Sequence, residues 1–445
     1  MAKLLLRLLD LAGFGAVEQV MRHRSFRIYL VGHIPNVIGV WVVRVAIGWL
    51  AWQLTGSAFW LGAVAAADAL PVLALGPIGG VMADRLDRRI IATVTQAALA
   101  VIAVILAALT FWDLMTIWIL FSLALARGIT AAFWQPVRLA LMPNLVPRAE
   151  IPIAIALNSS TFNTAQFIGP AVAAGLLSLG GPSLAFAFNI FAASFMVWVL
   201  LVIDSPLAPL KKGSRASVFA DVVAGMKYGL THAGIAPMLL LLLILGLSIR
   251  PLTELLPGFA DLVFGLGADG FSLMVSSLGA GAAVGAIWML RQGNRGGITA
   301  IALRAGLLGG AAALIFALTT WLPLALVCLA VLGFSMTTGG IATQQLVQLS
   351  VPDEMRGRVL SLFGMVFRAG PSGGALLMGW IADVAGLSWP VGIGAALGLI
   401  AYIIGNGRRA RLEALLETPN DVRCARVDTA EAAEASPPPA GRAAE

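Results

Sequence analysis

Apolar runs long enough to cross a membrane recur from residue 28 to residue 407, and no other feature constrains the fold as strongly. A helix crosses the ~30 Å hydrocarbon layer of a bilayer with about 20 apolar residues. Charged residues make up 11% of the chain, whereas soluble globular proteins carry about 25%. So few charges cannot cover a water-exposed surface. The sequence therefore predicts that lipid is the solvent for most of the chain.

Twelve predicted spans fall into two groups of six, which we call the N half and the C half. The N half, residues 28–203, holds spans at 28–54, 57–80, 91–112, 115–137, 151–178 and 183–203. The C half, residues 236–407, holds spans at 236–263, 271–290, 298–320, 323–347, 357–382 and 389–407. A polar linker at residues 204–235 separates them. We expect an all-α membrane protein with twelve transmembrane helices in two six-helix halves.

Basic residues lie on one side of this predicted bundle. The loops after the odd-numbered spans are short and lack Lys and Arg, with acidic Asp113, Asp269 and Asp383 in them or at their edges. The opposite loops carry Arg85, Arg88, Arg89, Arg138, Arg148, Arg291, Arg295, Arg356 and Arg358. The positive-inside rule then puts both termini and the linker in the cytoplasm, in a bacterial inner membrane.

This topology also accounts for the net charge of +7. The excess of basic residues is expected to meet anionic lipid head groups, and nucleic acid is not expected as a partner. Residues 1–27 are predicted to form a cytoplasmic amphipathic segment at the membrane interface. Residues 408–445 are predicted to form a cytoplasmic tail, largely disordered because its composition offers too little apolar surface to bury.

No pattern of enzyme chemistry appears in the sequence. The two cysteines, Cys328 and Cys424, suit neither a disulfide framework nor a metal site. A phosphate-binding loop, a nucleophile triad and a dinucleotide fingerprint are all missing from the sequence. We therefore expect no catalysis, no metal and no cofactor.

The two halves repeat one another in their fifth helices. QFIGPAVAAGLL at residues 166–177 corresponds to FRAGPSGGALLMG at residues 367–379, and the two Gly-Pro pairs lie 201 residues apart. This is the offset expected if span 11 repeats span 5. Two halves related by duplication are typical of transporters that work by rocking one half against the other.

The segment GVMADRLDRR at residues 80–89 resembles the loop signature of the major facilitator superfamily. Its matching residues are Gly80, Asp84, Arg85, Arg88 and Arg89, whereas Asp87 stands where the family pattern often has Gly. A glycine at the end of a span permits close helix packing, and an acid at a helix terminus can bind backbone amides or a basic partner. The resemblance implies a cytoplasmic gate. The alternative is a charged loop that only fixes the topology.

Four further segments, residues 41–57, 69–80, 250–265 and 351–365, look like the branch of this superfamily that contains the enterobactin exporter. That branch also includes macrolide and multidrug efflux proteins. The resemblance covers most of residues 20–407, and it implies the twelve-helix major facilitator fold and an export function. It does not identify the substrate.

Charged residues inside predicted spans need a partner or an aqueous cavity, because a charge at the bilayer centre costs about 3 kcal/mol on insertion scales. Arg44 and Asp68 each lie twelve residues from Gly56, the tip of the first hairpin. At 1.5 Å per residue they sit at one depth, so we expect them to pair. Arg127 lies at a comparable depth in span 4, and superfamily resemblance links such an arginine to proton coupling.

The C half carries a second set of charges. Arg250 and Glu254 are spaced i, i+4 on span 7, and Asp261 follows Glu254 by seven residues. Arg368 lies in the middle of span 11. These seven charged residues are our candidates for proton coupling or for lining a cavity. A static network of ion pairs that holds the helices together is the alternative.

Three residues are candidates for lining the substrate path: His33 in span 1, Trp134 in span 4 and Gln166 in span 5. His33 has the alternative of a local hydrogen-bonding role. Members of the similar branch often carry an arginine where this chain has Gln166, so the substrate preference is expected to differ.

These features lead us to expect a monomeric secondary active transporter that exports an amphipathic small molecule, such as a siderophore or a drug, in exchange for protons. Drug efflux without a dedicated natural substrate stays open. An importer or a lysophospholipid flippase on the same fold stays open as well. An alternative from another class is a membrane sensor or assembly partner that transports nothing.

Overall fold

The structure is a computed structural model that describes residues 14–203, 218–292 and 296–417, and these ranges form helices joined by short turns, without a strand. Spans 1 to 4 are Arg24–Thr55, Ala58–Arg85, Arg88–Phe111 and Ile117–Leu141. Spans 5 and 6 share the helical segment Ile151–Val202. Spans 8 to 12 are Gly267–Gln292, Ile298–Leu318, Leu322–Ser350, Asp353–Ala385 and Ser388–Gly407.

The segment Ile151–Val202 crosses the membrane twice. A straight helix of its 52 residues would be about 78 Å long, more than twice the ~30 Å hydrocarbon layer. The segment breaks at Gly180 and Gly181, where Gly181 has φ 67° and ψ −167°, a conformation that is essentially confined to glycine. Eleven described helical segments are long and apolar enough to span a membrane, so this break brings the crossings to twelve.

Span 7 is interrupted near its middle. It consists of Ile235–Ser248, a turn, Leu252–Gly258 and a π-helical turn at Phe259–Val263. Pro251 is the last residue of the turn, and proline cannot donate the backbone hydrogen bond that a continuous helix requires. Arg250 therefore sits in the turn, and its i, i+4 relation to Glu254 does not belong to one regular helix.

The halves repeat the same pattern of close helix contacts. Gly169 in span 5 packs on Trp41 of span 1, and Gly370 in span 11 packs on Gly246 of span 7. The predicted repeat of the Gly-Pro pairs is thus matched by equivalent neighbours. Small residues allow backbones to approach closely, which is how helices gain packing energy in lipid.

The two halves are joined at one end of the bundle and separate at the other. We call the end with the hairpins after the odd-numbered spans the short-loop face, and the opposite end the basic face. One apolar core includes buried residues from the short-loop part of the N half and from every span of the C half. The basic part of the N half forms a second core of its own. Toward the basic face, the N half therefore no longer shares an apolar core with the C half.

Short helices flank the twelve spans. Phe14–Met21 precedes span 1, Val218–Thr231 lies in the linker and contacts span 11, and Arg409–Leu416 follows span 12. Residues 1–13, 204–217, 293–295 and 418–445 lie outside the described residues, and with them about half of the predicted N-terminal segment and most of the predicted tail.

Glycine contacts between spans 8 and 10 give a test of this packing. A Cβ atom at Gly281 would overlap the carbonyl group of Ala330, whereas a Cβ atom at Gly175 would meet nothing within 4 Å. We expect Gly281→Ala to destabilise the protein by about 1–3 kcal/mol, the usual cost of overpacking. The control, Gly175→Ala, should leave the thermal midpoint of the purified protein unchanged or slightly higher. Equal midpoints for both variants would contradict the close approach of spans 8 and 10.

Candidate functional site

Five ionisable side chains form a connected cluster in the middle of the bundle, where the two halves meet. Three come from the N half and two from span 7 of the C half. They are Arg44 in span 1, Asp68 in span 2, Arg127 in span 4, and Arg250 and Glu254 in span 7. All five are among the residues that the sequence suggested for proton coupling or a cavity.

Arg44 forms an ion pair with Glu254 across the two halves, through its Nη2 atom and the Glu254 Oε1 atom. The expected pair of Arg44 with Asp68 is not formed, although the two side chains remain close enough to interact electrostatically. Asp68 instead binds Arg127. Depth along a helix was inferred correctly, but depth does not determine which way each helix turns its side chains.

A glycine explains why Asp68 binds Arg127. Gly128 lies against the backbone carbonyl of Asp68, so spans 2 and 4 are in close contact at this level. Arg127, the residue before Gly128, therefore reaches the carboxylate of Asp68 directly. The Arg127 side chain is only 8% exposed, and its Nε atom has no hydrogen-bond partner among the described residues. Such a guanidinium depends strongly on its one carboxylate.

Arg250 is bound without a carboxylate partner among the described residues. Its guanidinium lies 3.8 Å from the ring centroid of Phe367 in span 11 and donates a 3.3 Å hydrogen bond to the Phe367 carbonyl. Stacking of this kind is a favourable cation–π contact. The cluster therefore holds three guanidiniums and two carboxylates, an excess of one positive charge. The side chain of Arg368, the next residue, lies outside the described part of the chain.

Asp261 belongs to a separate contact nearer the short-loop face. Its Oδ2 atom accepts a 3.0 Å hydrogen bond from the indole Nε1 of Trp52. Asp261 and Glu254, which are seven residues apart, thus both contact span 1. Trp49, one turn before Trp52, stacks on Phe271 of span 8 with ring centroids 5.3 Å apart.

The short-loop face is closed by a helix cap that crosses the halves. Asp383, near the end of span 11, accepts hydrogen bonds from the Ser57 hydroxyl at 2.5 Å, the Ala58 amide at 2.7 Å and the Phe59 amide at 3.4 Å. These groups start span 2, whose own N-cap residue, Ser57, provides no side-chain cap. A carboxylate at a helix N-terminus meets free amides and the positive end of the helix dipole.

Close backbone contact continues below this cap. A Cβ atom at Gly62 in span 2 would overlap the backbone of Ala375, and one at Gly379 in span 11 would overlap the carbonyl of Ala58. Beside them, the Ser272 hydroxyl of span 8 donates a 3.1 Å hydrogen bond to the Ala174 carbonyl of span 5. Spans 2, 5, 8 and 11 therefore seal the two halves together at the short-loop face.

On the basic face, the loop motif binds the ends of helices within the N half. Arg88 donates hydrogen bonds to the carbonyls of Ala83 and Ala140, at 3.0 and 3.1 Å. Arg89 binds the carbonyl of Leu200 at 2.7 Å and that of Leu201. The two arginines thus cap the last carbonyls of spans 2, 4 and 6, where the helix dipole favours positive charge.

Among the other motif positions, the structure describes the surroundings of Asp87 and Gly80. Asp87, the departure from the family pattern, caps span 3 by accepting from the amides of Arg89 and Ile90. A Cβ at Gly80 would meet nothing within 4 Å, so the expected close approach does not involve Gly80; it occurs at Gly79, against Ala132. The side chains of Asp84 and Arg85 lie outside the described part.

Two of the three candidates for lining the substrate path lie inside the N half instead. His33 is fully buried and Trp134 is 5% exposed, so neither faces an open path. His33 contacts Arg138 at 3.2 Å through its Nε2 atom and stacks on Tyr29. Gln166 keeps part of its surface exposed. The structure places Trp134 in the apolar core of the basic part of the N half, and an aromatic residue of span 4 fits such a core as well as a cavity.

Arg138 was assigned to a loop from the sequence, because the predicted span 4 ends at residue 137. The helix continues to Leu141, and Arg138 is buried within it. Its guanidinium lies over the ring of Phe162 in span 5, 5.3 Å from the centroid.

Among the described residues, no group of three His, Cys, Asp or Glu side chains is placed to hold a metal ion.

Sequence comparison relates the chain to known transporters. A profile of the family described as transmembrane secretion effectors matches residues 19–428. The multidrug efflux pump Tap of Mycolicibacterium fortuitum is 29% identical, over 78% of this chain and 86% of that protein. The staphyloferrin A transporter of Staphylococcus aureus is 24% identical, over 79% of this chain and 87% of that protein. The enterobactin exporter EntS of Escherichia coli is 24% identical, over 86% and 90%.

Solved structures share the fold. The nucleoside transporter NupG superimposes with a TM-score of 0.66 at 14% identity, covering 86% of this chain and 98% of that one. A bacterial homologue of the human lysosomal transporter Spinster gives a TM-score of 0.67 at 11% identity, covering 88% and 97%. The matched proteins are transporters, not enzymes. With twelve crossings in two repeated halves and a family profile matched from residue 19 to residue 428, the chain belongs to the transmembrane secretion effector family of the major facilitator superfamily.

Proposed function

We propose that this protein is a secondary active exporter of an amphipathic small molecule, such as a siderophore or a drug, and that it exchanges this cargo for protons. The observation that carries the proposal is the charged cluster between the halves, in which the Arg44–Glu254 pair joins span 1 to span 7. An ion pair across two rocking bodies is a contact that a single proton can break. That property is what coupling requires.

The direction follows from the orientation that the arginine-rich loops favour, with the basic face in the cytoplasm of the bacterial inner membrane. In that orientation the short-loop face is external. The halves are sealed by Asp383 and its neighbours outside and have separate cores inside. This is the state in which an exporter accepts cargo from the cytoplasm or the inner leaflet.

Proton exchange can be followed through the two carboxylates of the cluster. A proton on Glu254 neutralises it and releases Arg44, because a guanidinium keeps its charge at any physiological pH. A proton on Asp68 releases Arg127 in the same way. Protons taken up from the outside would favour return to the inward-open state, and cargo binding would favour their release inside.

The cargo class is inferred from the relatives and from the side chains at the interface. The names of the relatives include two siderophores and multidrug efflux. Phe367 and Trp41 keep part of their surface exposed beside Arg250 and Arg44. Aromatic faces next to guanidiniums suit a molecule with both apolar and polar parts.

Three alternatives can be separated from this proposal. An importer or a lysophospholipid flippase would share the fold but move its substrate in another direction. A static network would need the charges only for stability. A sensor or assembly partner would depend on its tail rather than on transport.

The static-network alternative is tested by a double-mutant cycle on Asp68 and Arg127. Asp68→Asn leaves the Arg127 guanidinium buried without its carboxylate, so we expect a loss of roughly 3 kcal/mol in stability, toward the low end for buried pairs because Asp68 is 21% exposed. Arg127→Gln combined with Asp68→Asn should restore most of this loss. Thermal midpoints of the purified proteins measure it. Additive effects would show that the two side chains do not stabilise each other.

The function is tested by the metabolites that cells release. A deletion strain, grown with and without iron, should lose one class of amphipathic compound from its medium and accumulate it inside, as read by untargeted mass spectrometry. The native chain should restore release, and so should a chain ending at residue 417, if the tail is dispensable. Asp68→Asn should restore less than one tenth of it, although the protein is inserted at a normal level.

Two controls keep this test decisive. Asp113→Asn changes an exposed acid in the hairpin between spans 3 and 4 and should export normally. The paired variant, Asp68→Asn with Arg127→Gln, covers the case in which Asp68→Asn alone is unstable. Normal export by either Asp68 variant would make Asp68 a structural residue. An unchanged metabolite profile would point to drug efflux without a natural cargo.

The closed short-loop face is tested at Asp383. Asp383→Asn removes a charged helix cap worth about 1–2 kcal/mol, so we expect external opening to become about tenfold more frequent. A cysteine at position 272, in a background with Cys328→Ser and Cys424→Ser, reports it through its labelling rate with an impermeant maleimide on intact cells. Asp113→Asn is the matched control on the same face. If Asp383→Asn labels at the control rate, the cap does not hold the halves together.

A further inference from the structure

A groove of about 480 Å³ lies on the outer surface of the C half, next to the basic face. Span 7 provides one wall with Leu240 and Ile244, and span 12 provides the other with Ile404. Leu240 is 57% exposed and Ile404 is 55% exposed, so the groove faces outward, toward lipid chains. Its volume falls within the range of roughly 300–1,000 Å³ that is typical of small-molecule sites.

Two arginines line the end of this groove at the basic face. Arg408 directly follows span 12, and Arg411 lies on the helix Arg409–Leu416. Both are exposed, and neither has an acidic partner among the described residues. Arg409, between them, forms an ion pair with Glu413 at 2.6 Å and does not line the groove. The two free guanidiniums therefore both belong to the groove.

The arginines lie at the depth of lipid head groups. Arg408 is four residues after Ile404, which places it about 6 Å farther along the helix axis than the exposed apolar wall. An acyl chain in the groove would thus have its phosphate near the guanidiniums. A guanidinium binds a phosphate through two parallel hydrogen bonds and is less strongly hydrated than an ammonium, which suits it to this position.

We propose that this groove is a binding site for an anionic phospholipid. One acyl chain packs along Leu240, Ile244 and Ile404, and Arg408 and Arg411 bind the phosphate. Basic pockets between helices on the cytoplasmic side are suited to anionic head groups. A zwitterionic lipid fits less well, because its own cation would face two arginines that no acid neutralises. The site does not depend on what the protein transports.

The bound lipid would stabilise a junction of helix ends. Glu417, just after the terminal helix, accepts hydrogen bonds from the amides of Gly297 and Thr299 at the start of span 9. The Leu416 carbonyl accepts one from Ser350 at the end of span 10, and the Leu416 side chain packs on Gly234 before span 7. A lipid that contacts spans 7 and 12 and the terminal helix would therefore bridge this junction.

Native mass spectrometry of the full-length protein in detergent tests the proposal. Dioleoyl phosphatidylglycerol and dioleoyl phosphatidylcholine have the same acyl chains, so a difference in their binding comes from the head group. We expect tighter binding of phosphatidylglycerol, and a loss of about fivefold for each of Arg408→Gln and Arg411→Gln. Binding of phosphatidylcholine should not change in these variants. Phosphatidylglycerol should also raise the thermal midpoint of the native protein more than that of the variants.

Arg409→Gln is the matched control, because it removes the same charge from the same helix turn outside the groove. It should bind phosphatidylglycerol as the native protein does. Leu240→Trp, which fills the groove and leaves both arginines, should weaken both lipids. The proposal is overturned if phosphatidylcholine binds as tightly as phosphatidylglycerol, or if Arg408→Gln and Arg411→Gln bind like the native protein. An equal loss in Arg409→Gln would also overturn it, since binding would then follow net charge alone.

Discussion

The ion pair between Arg44 and Glu254 is the interaction on which the rest of this structure depends. It joins the two halves at the level where the bilayer is least able to solvate a charge, so each partner needs the other. Around it, Asp68 balances Arg127 and Phe367 covers Arg250. The positions of spans 1, 2, 4, 7 and 11 are consequently linked through the side chains of one cluster.

Close backbone contact at glycines selects which helices pack together here, a role that the hydrophobic effect has in soluble proteins. Gly128 brings span 4 to Asp68, and Gly62 and Gly379 seal span 2 against span 11. Lipid chains are as apolar as leucine side chains, so burial alone cannot choose one helix neighbour over another. Close approach and hydrogen-bonded helix ends make that choice here. Asp383, Arg88 and Arg89 each bind the terminus of a helix other than their own.

The family was predicted from the resemblance of the loop motif at residues 80–89 and of four further segments. Separately, hydropathy and the Gly-Pro repeat were sufficient to predict twelve spans in two halves, because the bilayer imposes length and polarity on each helix. The same rules identified Arg44, Asp68, Arg127, Arg250 and Glu254 as interior charges. They could not predict their partners, since the rotation of each helix depends on contacts between distant residues such as Gly128 and Asp68. Arg138 was placed in a loop for a related reason: a basic residue near a helix end has the same sequence signal in a loop and in a core. His33 takes the local hydrogen-bonding role that was its alternative.

The unequal division of the apolar cores has a mechanical consequence. To open at the short-loop face, the molecule must split the core that the halves share, and side chains such as Trp49 and Phe271 would then meet water. At about 25 cal/mol for each Å² of apolar surface, this wetting opposes opening there unless closure of the basic face buries a comparable area. An alternation between the two faces would therefore exchange one buried apolar seam for another.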